Sequence, residues 1–226
     1  MLVYVYNPST NRIEKSTLSL NDNMPYTTGK SLTVDEFRGS SKTTLVWSDK
    51  RFLQTWTNFR RYYGKPIYVG YCFKRIWEGG HGNQSQHYAG GAFDTGQNLT
   101  SSGRRALHSS ALSFGQWSYV EPISMTPTWV HFDKRLAPPA CSRGGYITVK
   151  EGSRGVYVLI LQDALNALGY TGGGLDGIFG SKTKAAVRKF QADNYLVVDG
   201  IVGCGTWTEV TAQAVGIGKT ATVVNP

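Results

Sequence analysis

Residues 85–94 read SQHYAGGAFD, and the rest of the chain is best read outward from them. His87 stands seven residues before Asp94, in a chain with only 4 histidines. Between them lie Ala89, Gly90, Gly91 and Ala92, small enough to let backbone crowd a metal ion. A zinc site needs nitrogen, oxygen or sulfur donors that converge on one point. A catalytic one keeps three protein ligands and leaves a further position open. His87 and Asp94 can supply two donors, from a loop and from the strand that follows it. The best third donor is His131 in WVHFD, on a predicted strand between Trp129 and Phe132, where an unpaired imidazole would be costly. His81, in the glycine-rich EGGHGNQ, is a weaker rival ligand, and His108 reads as an ordinary hydrogen-bonded histidine.

The segments around this stretch carry clear periodicities. In SDKRFLQTWTNFRRYYG, Phe52, Trp56, Phe59 and Tyr63 fall on one helical face. Ser48 is the expected N-cap and Gly64 the expected stop. PIYVGY, residues 66–71, reads as a buried strand, and SSGRRALHSSALSFG as a second helix with Leu107, Ala111 and Phe114 on one face. TWVHFD, residues 128–133, reads as a strand, and LVYVY near the start as another, followed by turn residues.

Composition shifts at LAPPACSRGG, residues 136–145, whose paired prolines and glycines mark a linker. Beyond it an internal echo appears. DGIFGSKT at 176–183 returns as DGIVGCGT at 199–206. Val158, Leu161, Leu165 and Leu168 precede the first copy at helical spacing, and Val187 and Phe190 the second. The expected organisation is a front domain at 1–136, a linker at 137–149, a helical unit at 150–213 and a tail at 214–226. The helical unit is near the lower size limit for folding alone, and is expected to do so.

SQHYAGGAFD fits the pattern SxHxxGxAxD, and WVHFD fits a later HxD. Together they resemble the M15 family of zinc peptidases, which holds D-Ala-D-Ala carboxypeptidases and L-Ala-D-Glu endopeptidases of phage and bacteria. The resemblance extends upstream through RFLQTWTNFRRYYGKPIYVGYCFKR and covers about residues 32–135. It implies an α+β domain whose small antiparallel sheet holds Zn2+ on His87, Asp94 and His131, and metal-assisted amide hydrolysis as the reaction. The second half, with LQxxLxxLGY, DGxFGxxT, AVxxFQ and DGxVGxxT in order, resembles the peptidoglycan-binding domain that accompanies many wall hydrolases. That implies a small all-α bundle and bacterial peptidoglycan as partner.

Two departures from the family pattern bear on chemistry. Thr128 stands where many members carry the acidic general base. Asp133 is the first substitute, because on a strand it shares a face with His131 at roughly 6.5–7 Å. Glu121 in SYVEP is the alternative base. VGYCFKR also replaces the usual SGYR, so Lys74 or Arg75 is expected to meet a substrate carboxylate, with Ser85 as a further substrate contact.

The functional expectation is a monomeric, endolysin-like peptidase that cuts a stem-peptide amide, L-Ala-D-Glu first. A D-Ala-D-Ala carboxypeptidase, a cross-link endopeptidase and a non-catalytic wall-binding protein are the alternatives. A glycan-cleaving hydrolase needs a carboxylate pair across a sugar, which the acid-poor front half does not display. The net charge of +9 is concentrated in residues 1–140, where 16 Lys and Arg face 9 Asp and Glu, and it suits an anionic wall. No nucleic-acid motif accompanies that charge. No apolar run approaches the ~20 residues that span a bilayer. The N-terminus lacks the pattern of a signal peptide, so synthesis in the cytosol and release by a holin or by lysis are expected. The 3 cysteines, an odd number with no CxxC, read as free thiols.

Overall fold

The computed structural model describes residues 1–29, 31–136, 138–141 and 145–218. Among these residues, two small sheets and six helices make up a mixed α/β arrangement. Strands β1 (Leu2–Asn7), β2 (Arg12–Thr17) and β3 (Leu45–Asp49) form the first sheet in the order β2-β1-β3. β1 runs antiparallel to β2 and parallel to β3, so this sheet is mixed and adds to the single antiparallel one expected. The short helix α1 (Val34–Arg38) opens on a capping box between Thr33 and Glu36.

Helix α2 (Lys50–Tyr63) follows β3 at once and buries Phe52, Trp56 and Phe59, as the periodicity predicts. Its N-cap is Asp49, whose Oδ1 accepts from Arg51 N at 2.8 Å. Ser48 instead sits in β3 and donates to Gly90 O at 2.7 Å, so the loop outcompetes the helix for that hydroxyl. Gly64 closes α2 in the left-handed region at φ 68°.

Strands β4 (Val69–Tyr71), β5 (Ala92–Thr95), β6 (Tyr119–Val120) and β7 (Val130–Asp133) make the second sheet, antiparallel in the order β4-β5-β7-β6. Helix α3 (Ser101–Phe114) bridges β5 and β6. The register opposes Phe93 to Phe132 and Asp94 to His131. Strand side chains alternate between faces, so the two phenylalanines share one face and the two polar residues the other. The aromatic face packs onto α2: Trp56 lies 4.1 Å from Phe93, and Phe59 lies 5.2 Å from Phe132, ring centre to ring centre.

Helices α4 (Val156–Ala167), α5 (Ser181–Asp193) and α6 (Cys204–Ala214) form the C-terminal unit. Every residue of α4 is buried. It packs against α5 and α6 on one side, and against β3 and the 3-10 turn Ile76–Glu78 on the other. The hydrophobic core runs unbroken through both halves. The expectation of three free thiols is corrected, because Cys141 and Cys204 form a disulfide that ties the 138–149 segment to α6. An odd count hid a pair whose members are 63 residues apart, and only buried Cys72 stays free. After α6 the chain returns to the front half, where Gly218 N donates to Trp77 O at 2.9 Å. The rest of the expected tail, 219–226, lies outside the described residues, as do positions 137 and 142–144 of the expected linker. No helix among the described residues is long and apolar enough to cross a membrane.

Candidate metal centre and its cleft

The polar face of the second sheet floors a cleft of about 370 Å³. Asp94 and His131, directly opposed across β5 and β7, meet there with Oδ1 and Nδ1 at 2.8 Å. The turn at 85–91 delivers His87, whose Nε2 lies 3.4 Å from the other oxygen of Asp94. Gly90 makes that turn fit. It holds φ +60°, and a Cβ there would come within 2.0 Å of Trp47 O. Ser85 Oγ accepts from His87 N at 3.3 Å, and Ser85 lines the cleft.

The other ring nitrogen of His87, Nδ1, lies 2.8 Å from Cys72 O. A backbone carbonyl can only accept, so it fixes the proton on Nδ1 and leaves Nε2 free to ligate. Cys72 contributes its carbonyl, while burial, and then the charge of Asp94, push its thiol up and keep it unreactive. His81 stacks on His87 at 4.2 Å, and its Nε2 is buried without a hydrogen-bond partner. Donor atoms of His81, His87 and Asp94 all lie within 4.8 Å of one another, a group able to hold a metal ion. The rival and the preferred ligands therefore converge on one carboxylate.

This donor set suits zinc: imidazole nitrogens and one carboxylate oxygen, with a buried nitrogen lacking any partner. Burial would raise Asp94, but its hydrogen bonds to His131 and His87 outweigh that and hold it well below the usual carboxylate range. Burial would lower His131, but Asp133 and Asp94 outweigh it and bring it to about 9. Burial, with His87 adding to it, drops His81 to about 3. One carboxylate thus stays ionised among imidazoles that compete for it, and a shared cation would replace those hydrogen bonds.

The two expected bases differ in surroundings. Asp133 is fully buried, 3.4 Å from His131 Nε2, and Arg135 closes on both of its oxygens. Glu121 also lines the cleft, and its carboxylate makes no hydrogen bond or ion pair among the described residues. Its backbone holds the sheet edge, donating to His131 O at 3.0 Å and accepting from His108 Nε2 at 3.0 Å. His108 is thus the ordinary hydrogen-bonded histidine expected.

Arg75 requires a correction. It is fully buried away from the cleft, and donates from Nε and Nη2 to Asp163 at 2.8 and 2.6 Å. Its guanidinium lies over Trp47 and Trp77 at 5.0 and 5.7 Å. A partner 88 residues away has drawn it into the core, so it does not face substrate. The guanidinium that lines the cleft is Arg135, over the Tyr119 ring at 4.2 Å. Strand alternation from His131 through Asp133 signals this placement, because the next residue on that face is Arg135. Tyr146 of the linker segment and Tyr157 of α4 reach the cleft wall too, donating from Oη to Ser85 O at 2.8 Å and to Gln86 Oε1 at 3.0 Å.

Comparison with known proteins places the second half first. Residues 154–209 match the family described as a putative peptidoglycan binding domain. Among individual proteins, the chain is 45% identical over 76 residues to an uncharacterised protein of Kitasatospora aureofaciens, covering 31% of this chain and 64% of that one. It is 43% identical over 67 residues to the zinc D-Ala-D-Ala carboxypeptidase of Streptomyces albus G, covering 28% of this chain and 26% of that one. The chain thus spans less than two thirds of either relative. Among solved structures, a peptidoglycan-binding protein from Clostridioides difficile is 36% identical with a TM-score of 0.30, covering 32% of this chain and 45% of that one. The Burkholderia AP3 phage endolysin is 44% identical with a TM-score of 0.28, covering 29% and 25%.

Proposed function

We propose that the cleft is a zinc centre that hydrolyses an amide bond in the stem peptide of peptidoglycan, L-Ala-D-Glu first, while residues 150–213 hold the protein to the wall. The observation that carries this reading is Asp94, bracketed by His87 Nε2 and His131 Nδ1 with the unpartnered His81 nitrogen alongside. The family match over 154–209 supports the wall as the place of action. When bound, zinc would acidify a water and polarise the amide carbonyl.

The chain's own residues divide the remaining work. Cys72 O keeps His87 in the ligating tautomer. Asp133, held by Arg135, orients the His131 ring. Glu121 takes the proton of the attacking water and passes it to the leaving amine. Arg135 faces the substrate carboxylate in place of Arg75. The Cys141–Cys204 disulfide suits work outside a reducing cytosol, after release from the cell interior.

Purified peptidoglycan sacculi digested with the zinc-loaded protein should yield new α-amino groups on D-Glu. Chelator should stop the reaction and zinc restore it. New reducing sugar ends that form despite chelator would refute the peptidase reading. A D-Ala-D-Ala carboxypeptidase is the second reading, favoured by the similarity to the Streptomyces albus G enzyme. It would release free D-Ala and leave L-Ala-D-Glu whole.

A further inference from the structure

The sequence echo in the second half is also an echo of structure. The Gln162 side-chain nitrogen donates to Asp176 Oδ1, Ile178 O and Thr183 Oγ1 at 2.7, 3.2 and 3.2 Å. The Gln191 nitrogen donates to Asp199 Oδ1, Ile201 O and Thr206 Oγ1 at 2.9, 3.0 and 3.1 Å. Each glutamine pins a DG turn, and each turn backs a shallow cleft, of about 300 and about 240 Å³. The scaffolds correspond, but the rims do not. The first rim is glycine-rich and polar, with Ser181 and Lys182. The second carries Leu196, Val197 and Ile201, and no lysine or arginine lines it.

Tyr195 precedes Leu196 of that second rim in the chain and is 98% exposed, and Val197 of the rim is 78% exposed. Tyr195 also sits at φ 56°, a left-handed backbone that disfavours a bulky side chain. A strained, outward aromatic ring with apolar neighbours marks a surface built to be covered.

We propose that this second-repeat cleft, rimmed by Leu196, Val197 and Ile201 and preceded in the chain by the exposed Tyr195, is where the glycan strand of peptidoglycan docks. The proposal rests on the wall-binding reading of residues 150–213. A pyranose offers a face of C–H bonds that stacks on a tyrosine ring, and its acetamido methyl suits the aliphatic rim. Its polar edge meets the backbone at Gly203 and Gly205, where no side chain keeps it away. The stem peptide is anionic, whereas the charged residue in this lining is Asp199, a carboxylate. The neutral glycan is therefore the better fit.

The test uses the full chain with chelator present, so that binding is read apart from cleavage. Tyr195→Asn with Val197→Ser removes the rim, and asparagine tolerates the left-handed backbone, so the variant should melt like the wild type. Co-sedimentation with purified sacculi should show at least a tenfold weaker Kd for it, and no change for Lys182→Ala in the first cleft. Stem-free glycan strands should compete for wild-type binding, and free stem peptides should not. Sedimentation of the double variant like the wild type overturns the docking site and leaves the wall-binding reading standing. Failure of the wild type itself to sediment overturns both. Competition by stem peptides alone overturns the glycan as occupant. A wild-type dimer that the double variant abolishes would assign the patch to a second copy of the chain.

Discussion

Asp133 and Glu121 both look into the cleft, and what already holds each sets its role. The oxygens of Asp133 are taken up by Arg135 and His131, whereas those of Glu121 make no bond among the described residues. Glu121→Gln should therefore lower kcat by ~10²–10⁴ at unchanged zinc content and little altered KM. Asp133→Asn should instead weaken zinc affinity by ~10–100-fold, because the support of a ligating imidazole is lost. Equal zinc affinity in Asp133→Asn and wild type, with kcat collapsed, would reverse the two roles. Metal analysis settles the ligands: His87→Ala and His131→Ala should each fall well below one zinc per chain. Full occupancy in both would remove the centre from this cleft. His81→Ala, measured beside them, reads how much the third imidazole contributes.

At the scale of elements, the site depends on register. Asp94 opposes His131 only while Phe93 opposes Phe132, since a slip of one residue exchanges the two faces of a strand. The aromatic face thus fixes the polar face. Phe132→Ala should cost about 3–5 kcal/mol of stability, read by urea denaturation, and should loosen zinc binding as well. A stability loss with zinc affinity intact would show that the polar face holds its geometry alone. These elements were legible because their signals are local. Phe52, Trp56 and Phe59 recur within one helix, and His87 and Asp94 stand within one turn and strand. Ser48 was misread as a cap because the competing carbonyl, Gly90 O, lies in a distant loop. Arg75 was misread for the same reason, since nothing near it in the chain announces Asp163. The Cys141–Cys204 pair was beyond a count of cysteines, which carries no information on distance.

Across the whole molecule, the two halves share one core and a buried ion pair. Arg75 and Asp163 are both fully buried, so removing one partner strands a charge. Arg75→Met or Asp163→Asn should each destabilise by about 3–5 kcal/mol. The double change Arg75→Met with Asp163→Leu should recover most of that loss, because a buried ion pair is often replaceable by apolar packing of similar volume. Equal losses in single and double variants would mean that packing, not charge, sets the cost. The disulfide joins the segment beside the cleft wall to α6, and reduction should lower stability by about 2–4 kcal/mol. Matched denaturation curves with and without reductant would measure it. Identical midpoints would show that the join holds without the bond.

The Arg75–Asp163 pair also bears on transplantation. Wall-binding units invite grafting, as a means of sending a foreign enzyme to a chosen cell surface. This one would arrive with a carboxylate on the inner face of α4 and a helix buried all round in its native setting. A recipient without a facing arginine would receive an exposed apolar face and an unpaired acid, which favours aggregation over targeting. A donor fragment with Asp163 made neutral and the inward side of α4 made polar would travel better. The host left behind would then need its own Arg75 replaced.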